Sequence, residues 1–461
     1  MCAALRKEEI KGGGTIFNHR KKEQKNNTRI GKGYRLGQPE TIQDIWLPDA
    51  QRKGHLFCFG TTQIGKTRLI ESMVEQDIRR GCSVAAFDPK GDASLLSKIV
   101  QIAFEENRHH DLFLVTPIFP SCSAIIDPLM YYFMPEEIVS HVVSGIRAKE
   151  DFFINIANET TQVIVDSLLL FAKVRGERPM INFNEIKQRA SHGALKDLKS
   201  ELETMPPSKK RDDVLSSLAL ILDSGPEYFG KVSSSLRTTL ASLSSGSVGD
   251  IIGKAQSNKF IKRLEQNKSV ILVVQTGSML TRKTAHIVSR VLLSMIQSFI
   301  GRRYLSKQDS VDPPLSIYID EASNIIYPGI EDLFNKAGGA GVWIQAFTQS
   351  QADIEAEIGA DRAKKILDNT NTKIFMRVND VSTAEYISDY SGESRRYSNM
   401  PSLGGAITLR EVTEKTIMPE HMLNLQTREF FFFSYDGNYK GKTAYVERAY
   451  FNVEYPGIDV L

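Results

Sequence analysis

The sequence predicts an α/β protein with a mainly parallel sheet, interrupted by an inserted all-helical domain. Three observations predict it. Short apolar runs alternate with segments of helical period up to about residue 132 and again from about 266. Between 133 and 265 that alternation gives way to successive amphipathic helices. The run His55-Leu56-Phe57-Cys58-Phe59 leads directly into the loop Gly60-Thr61-Thr62-Gln63-Ile64-Gly65-Lys66-Thr67.

Residues 1–50 are polar, Gly-rich and weakly periodic, and predict short strands without a core. Within residues 1–36 the basic residues Arg6, Lys7, Lys11, Arg20, Lys21, Lys22, Lys25, Arg29, Lys32 and Arg35 outnumber the acids Glu8, Glu9 and Glu23. Such a leader is either solvated and disordered or a surface for phosphates or anionic lipid. His55–Phe59 reads as a buried parallel strand. Leu69, Ile70, Met73, Val74 and Ile78 then follow helical spacing until Gly81. A strand over Ser83–Phe87, a helix from about Ala93 and a strand over Leu112–Val115 complete the first βαβ units. Helices are expected at Glu136–Arg147, Phe152–Val174, Asp212–Leu222 and Lys231–Leu243, with Met205–Lys210 as a polar break. Strand signals resume at Ser269–Val274, Leu315–Ile319, Val342–Phe347 and Lys373–Val378. The division is thus 1–50 as a basic segment, 51–132 with 266–461 as the nucleotide-binding domain, and 133–265 as the insert.

Bulk properties narrow the class. With 461 residues, 41% hydrophobic and 25% charged, the chain resembles a soluble globular protein of two or three domains. A net charge of +3 does not by itself announce nucleic-acid binding. Cys2, Cys58, Cys82 and Cys122 form no CxxC pair, which argues against a metal cluster or disulfide framework. Cys58 and Cys82 lie in apolar runs and are expected in the core. No run approaches the ~20 apolar residues of a membrane span, and no secretory signal is present. A cytosolic chain is expected.

The chemistry lies in four segments. Gly60, Gly65, Lys66 and Thr67 match G-x-x-x-x-G-K-[ST] between a strand and a helix. Glycines let backbone N–H groups wrap a phosphate, and the helix adds its positive end. Lys66 is expected to reach the β- and γ-phosphates of ATP, and the Thr67 hydroxyl to ligate Mg²⁺. The strand Leu315–Ile319 ends in Asp320 and Glu321, expected to bind Mg²⁺ through water and to act as general base. The next strand ends in Thr348-Gln349-Ser350-Gln351, where Gln349 is preferred over Gln351 for orienting water. Phe87-Asp88-Pro89-Lys90-Gly91-Asp92 reads as a strand-end turn close to the nucleotide.

Together these segments resemble type IV coupling proteins of the TraG/TraD kind, the ATPases of bacterial conjugation and type IV secretion, related to FtsK and HerA translocases. The resemblance runs from about residue 30 to the C-terminus. It rests on Gly60–Thr67, Phe87–Asp92, Ile319-Asp320-Glu321-Ala322-Ser323 and Thr348-Gln349-Ser350. Asn369–Ile374 and Ile30–Leu36 resemble the TraD branch of integrative conjugative elements. The resemblance implies a RecA-like P-loop fold, ATP and Mg²⁺, an all-α domain facing the relaxosome, and a homo-hexameric ring passing DNA toward a secretion channel. It also implies a place at the inner face of the plasma membrane.

Two departures stand out. The arginine-rich turn expected before the Gln-bearing strand is here Asn335-Lys336-Ala337-Gly338-Gly339-Ala340-Gly341, so a trans-acting arginine is displaced, replaced by Lys336, or absent. Arg362 and Arg377 are substitutes, though a surface ion pair is the simpler role for each. The transmembrane helices common in that family are not present either, so the anchor precedes this segment or a membrane partner recruits it. Three functions follow: a coupling ATPase carrying a relaxase–DNA substrate, a DNA translocase outside conjugation, or a nucleotide-binding adaptor with weak hydrolysis. A P-loop kinase fits poorly, because no acceptor pocket is evident.

Overall fold

A computed structural model describes residues 4–5, 26–147, 150–306, 310–401 and 407–455. Cys2 and the leader residues Arg6, Lys7, Lys11, Arg20, Lys21, Lys22 and Lys25 lie outside the described residues.

After β1 (Ala4–Leu5), the chain forms β2 (Asn27–Arg35), β3 (Gln43–Pro48), α1 (Asp49–Arg52), β4 (Leu56–Phe59), α2 (Lys66–Arg79), β5 (Ser83–Phe87), α3 (Ala93–Glu105) and β6 (Leu112–Val115). Helices follow: α4 (Pro135–Ser144), α5 (Asp151–Arg175), α6 (Phe183–Arg189), α7 (His192–Glu203), α8 (Lys209–Asp223), α9 (Pro226–Val232), α10 (Ser234–Ser244), α11 (Gly246–Val248) and α12 (Lys259–Glu265). Then come β7 (Ile271–Val274), α13 (Ser278–Leu305), β8 (Leu315–Ile319), α14 (Ala322–Ile325), α15 (Glu331–Lys336), β9 (Val342–Thr348), α16 (Gln351–Ile358), α17 (Ala360–Asp368) and β10 (Thr372–Phe375). The chain ends with α18 (Val381–Tyr390), β11 (Glu393–Pro401), β12 (Ile407–Lys415), α19 (Pro419–Leu423), β13 (Glu429–Ser434), β14 (Gly437–Thr443) and β15 (Val453–Glu454).

Eleven strands form one sheet in the order β3-β2-β14-β13-β10-β4-β9-β8-β5-β7-β6. From β10 to β6 all neighbours are parallel, and the four strands beyond β10 are antiparallel. The parallel strands are apolar on both faces, as strands covered on both sides must be. Leu56, Cys58, Val84 and Ala86 pack with α2 and α3, while Phe57, Phe59, Ala85 and Phe87 join an apolar cluster continuous with the helices of 135–265. Within that second layer α13 packs on α4 and α10. Cys58 and Cys82 are buried.

Residues 26–50 depart from the reading that they hold no core. Ile30, Ile45 and Leu47 are buried, and β2 and β3 extend the main sheet. The glycines that blurred the pattern are themselves structural: a Cβ at Gly33 would sit 2.1 Å from the Lys440 carbonyl oxygen on β14. No helix among the described residues is long and apolar enough to cross a membrane.

Arg52, fully buried at the end of α1, donates to Asp77 at 2.6 and 2.7 Å and to Thr28 at 3.0 Å. Its guanidinium lies 4.4 Å from the centre of the Trp343 ring, and Tyr318 donates to Asp77 at 2.5 Å. Burial alone would raise the Asp77 pKa, but Arg52 and Arg80 hold it well below the usual carboxylate range. This network ties α1 and β2 to α2 and to β8 and β9.

Asp127, buried before α4, accepts a hydrogen bond from the Leu129 backbone at 2.9 Å, yet burial pushes its pKa from 3.8 up to about 7. The folded state therefore binds an extra proton between those values, and stability contributed by the neutral group is lost as pH rises through about 7. Asp127→Asn keeps an acceptor without a charge. We predict that it is more stable than the wild type at pH 8 and that the gap closes toward pH 5, measured by urea midpoints. A wild type more stable at pH 8 would contradict the assignment.

Candidate nucleotide site

The loop between β4 and α2 stands at the carboxyl edge of the parallel strands, where such sheets bind ligands. Gly65 closes it at φ 112°, a conformation open to glycine and strained for other residues. Three neighbouring strand ends hold its shape. Gly60 N–H donates to Thr348 O at 3.1 Å, Thr61 N–H to Arg377 O at 2.8 Å, and Arg428 N–H to Ile64 O at 2.9 Å. The Asn379 amide donates to the Thr61 hydroxyl at 3.0 Å. The Lys66 ammonium, at the first position of α2, donates to Gly60 O at 2.5 Å and Thr61 O at 2.8 Å. Burial lowers its pKa, an effect partly offset by nearby Asp320. A phosphate oxygen offers that ammonium a charged acceptor in place of two neutral ones.

A cleft of about 500 Å³ opens over this loop. Thr61, Thr62, Gln63, Gly65, Lys66 and Thr67 form one wall, and Asp320, Glu321, Thr348 and Gln349 form the other. The acid-bearing strand β8 is not adjacent to β4. β9 lies between them and places Gln349, which is exposed, beside the acids. Gly60 and Ile64 stand behind the wall: the first offers its carbonyl to Lys66, and the second is buried in the core. Asp320 is nearly buried, and that burial raises its pKa, opposed chiefly by Lys66. An oxygen ligand held in this way in the cleft that Thr67 also lines suits Mg²⁺, which takes few protein oxygens and keeps waters. Glu321 has φ 48° and ψ 49°, the left-handed region, which costs a non-glycine residue about 1–3 kcal/mol. That strain falls on a carboxylate that lines the cleft.

Asp88 does not line the cleft. It is buried behind it and accepts hydrogen bonds from Gly91 N at 3.0 Å, Asp92 N at 2.5 Å and Gln275 at 2.9 Å. Burial pushes its pKa up to about 6 against those three donors. Its work is to shape the turn that presents Lys90, which sequence reasoning passed over. Lys90 lines the cleft and lies 2.5 Å from the Glu321 carboxylate. The turn carries a single cation, and that was the available signal. Gln351 sits in the first turn of α16 and bonds Glu355 and Thr383, away from the cleft.

The three substitutes for an arginine finger lie elsewhere. Lys336, 3.6 Å from Asp332, sits at the opposite end of β9, roughly 20 Å from Thr348 by strand rise. Arg362 lies 3.9 Å from Glu331 in a half-buried pair. Arg377 is half-buried behind the loop, held there by its own carbonyl.

Residues 314–425 match the family described as "TraM recognition site of TraD and TraG". That segment starts just before β8 and so contains Asp320, Glu321 and Gln349. No curated protein matches the chain in sequence. Among solved structures, the chain is similar to the bacterial conjugative coupling protein TrwBdeltaN70, with a TM-score of 0.65 and 17% identity over 92% of this chain and 93% of that one. TrwB in complex with the non-hydrolysable ATP analogue ADPNP matches with a TM-score of 0.63 and 17% identity over 94% and 96%. VirB4 of Thermoanaerobacter pseudethanolicus matches with a TM-score of 0.56 and 12% identity over 91% and 97%. The fold is thus the RecA-like P-loop fold that the sequence predicted, and the likeness to coupling proteins of the TraG/TraD kind is met by both comparisons.

Proposed function

We propose that this chain is an ATP-hydrolysing coupling protein that recruits a relaxase–DNA substrate and drives it into a type IV secretion or conjugation channel. One observation carries the reading: Lys66, Asp320, Glu321 and Gln349, from three separate strand ends, meet in one cleft. The end-to-end likeness to a conjugative coupling protein supports the cargo class.

In this reading the loop N–H groups and Lys66 bind the phosphates of ATP, with Thr67 and Asp320 holding Mg²⁺. When bound there, the ion would neutralise charge on the phosphates. Glu321 accepts the proton of the attacking water, and Gln349 orients that water. We assign the helical segment 133–265 to substrate recruitment, and 51–132 with 266–461 to the motor. A homo-hexamer around DNA, recruited to the inner membrane through an anchor or partner, completes the proposal. Lys66, Arg68 and Lys90 are the cations that line the cleft from within one chain, and a further arginine or lysine would come from a neighbouring subunit.

Lys90 makes the cleft more than a sum of motifs. Its bridge to Glu321 withholds the base from water. Lys90→Met is therefore predicted to raise unstimulated kcat up to about fivefold, the equivalent of roughly 1 kcal/mol, with KM little changed. A fall to the background rate would instead make Lys90 a phosphate ligand. The proposed function itself is tested in cells. Transfer of the mobile DNA should be lost when Lys66→Ala replaces the wild type. Normal transfer with defective replicon maintenance would favour a translocase outside conjugation.

A further inference from the structure

We propose that a basic cleft between α4, α10 and the kinked start of α13 binds backbone phosphates of nucleic acid, with Glu357 occupying part of that role in the structure. The inference rests on the DNA-coupling reading above and gives it a place. The cleft has a volume of about 500 Å³ and is lined by Arg147, Arg282, Lys283, His286 and Arg290. Arg290, nearly buried, donates to Glu357 at 3.0 Å, and Arg147 pairs with the other oxygen of the same carboxylate. One carboxylate therefore answers four permanent cations. Arg282 and Lys283 are exposed beside the kink at Thr281 and form no ion pair with another described residue. Two guanidiniums that each hold one oxygen of the same carboxylate can hold two oxygens of a phosphate in the same way. Surplus cations at the mouth of a cleft are what a phosphodiester chain requires and a single carboxylate does not.

The position links such binding to the nucleotide cleft. Arg290 also donates to Asn324 O at 3.3 Å, and Asn324 N–H donates to Glu321 O at 2.9 Å. Glu357 lies on α16, which begins two residues after Gln349. A phosphate that displaces Glu357 frees α16 and reorders the contacts of Arg290, so both the base and the water-orienting strand end receive the signal. His286 offers a local reporter. Burial, then Arg290, Arg282 and Arg147, lower its pKa to about 4, and an incoming anion reverses part of that shift.

The test is anisotropy with a labelled oligonucleotide, run beside ATP hydrolysis with and without it. Arg282→Ala with Lys283→Ala, both exposed and outside the nucleotide cleft, should weaken oligonucleotide binding about tenfold. The slope of log affinity against log salt should fall by about two. Glu357→Gln should tighten binding, and the His286 imidazole signal should titrate at higher pH when the oligonucleotide is present. Unchanged affinity in the double variant would overturn the proposal. So would equal binding of a polyglutamate peptide, or a His286 shift produced by inorganic phosphate and not by the oligonucleotide. Wild-type hydrolysis that ignores DNA sinks the coupling reading. Stimulation that survives intact in the double variant sinks only this cleft.

Discussion

Lys66→Ala is expected to reduce ATP hydrolysis by at least about 100-fold, the loss associated with removing one preorganised donor from a charge-developing centre. Lys66 is the cleft's most enclosed cation, and it already spends its donors on the Gly60 and Thr61 carbonyls. Those two bonds keep the loop wrapped. An alanine removes both the ammonium and the brace, so phosphate binding weakens together with kcat. Steady-state kinetics with circular dichroism on the same sample check this. Near wild-type turnover in a folded variant would remove Lys66 from the mechanism.

Asp77→Ala is expected to cost about 3–5 kcal/mol of stability, because it leaves the buried Arg52 guanidinium without its hydrogen-bonded counter-charge. The remaining partners of Arg52 are Thr28, Ser316 and Tyr318, which are neutral, the Trp343 ring, and the more distant Asp49 carboxylate at 3.8 Å. None replaces a carboxylate at 2.6 Å. The paired change Arg52→Met with Asp77→Leu removes both charges and is predicted to recover most of the loss. Urea denaturation of the three proteins decides it. A single variant within about 1 kcal/mol of wild type would mean that water or the Asp49 carboxylate rearranges to satisfy the site.

Much of the fold was legible because parallel strands buried on both faces leave unbroken apolar runs. Leu112–Val115 and Leu315–Ile319 fall where those runs lie. The antiparallel flank was not read. In β2 the glycines required for close approach to β14 dilute the pattern, whereas Phe430–Phe433 ahead of Asp436-Gly437 carried a hairpin signal that went unused. At the site, the loop lysine and the acid pair announce themselves through spacing along the chain. The Lys90–Glu321 bridge does not, since it joins residues from β5 and β8 whose adjacency only the strand order reveals. Asp88 shows the converse: a motif residue near the nucleotide in sequence terms that folding turns into a brace behind the cleft. Charge told a similar story, because a net +3 conceals the cations gathered along α13 and at Arg147.

The central claim is that this chain converts ATP hydrolysis into work on DNA, and the rate of ATP hydrolysis by the purified protein with and without DNA tests it most directly. The account predicts hydrolysis that rises on adding DNA and disappears in both conditions with Lys66→Ala. Hydrolysis that is absent with and without DNA, or present and indifferent to DNA, would contradict it.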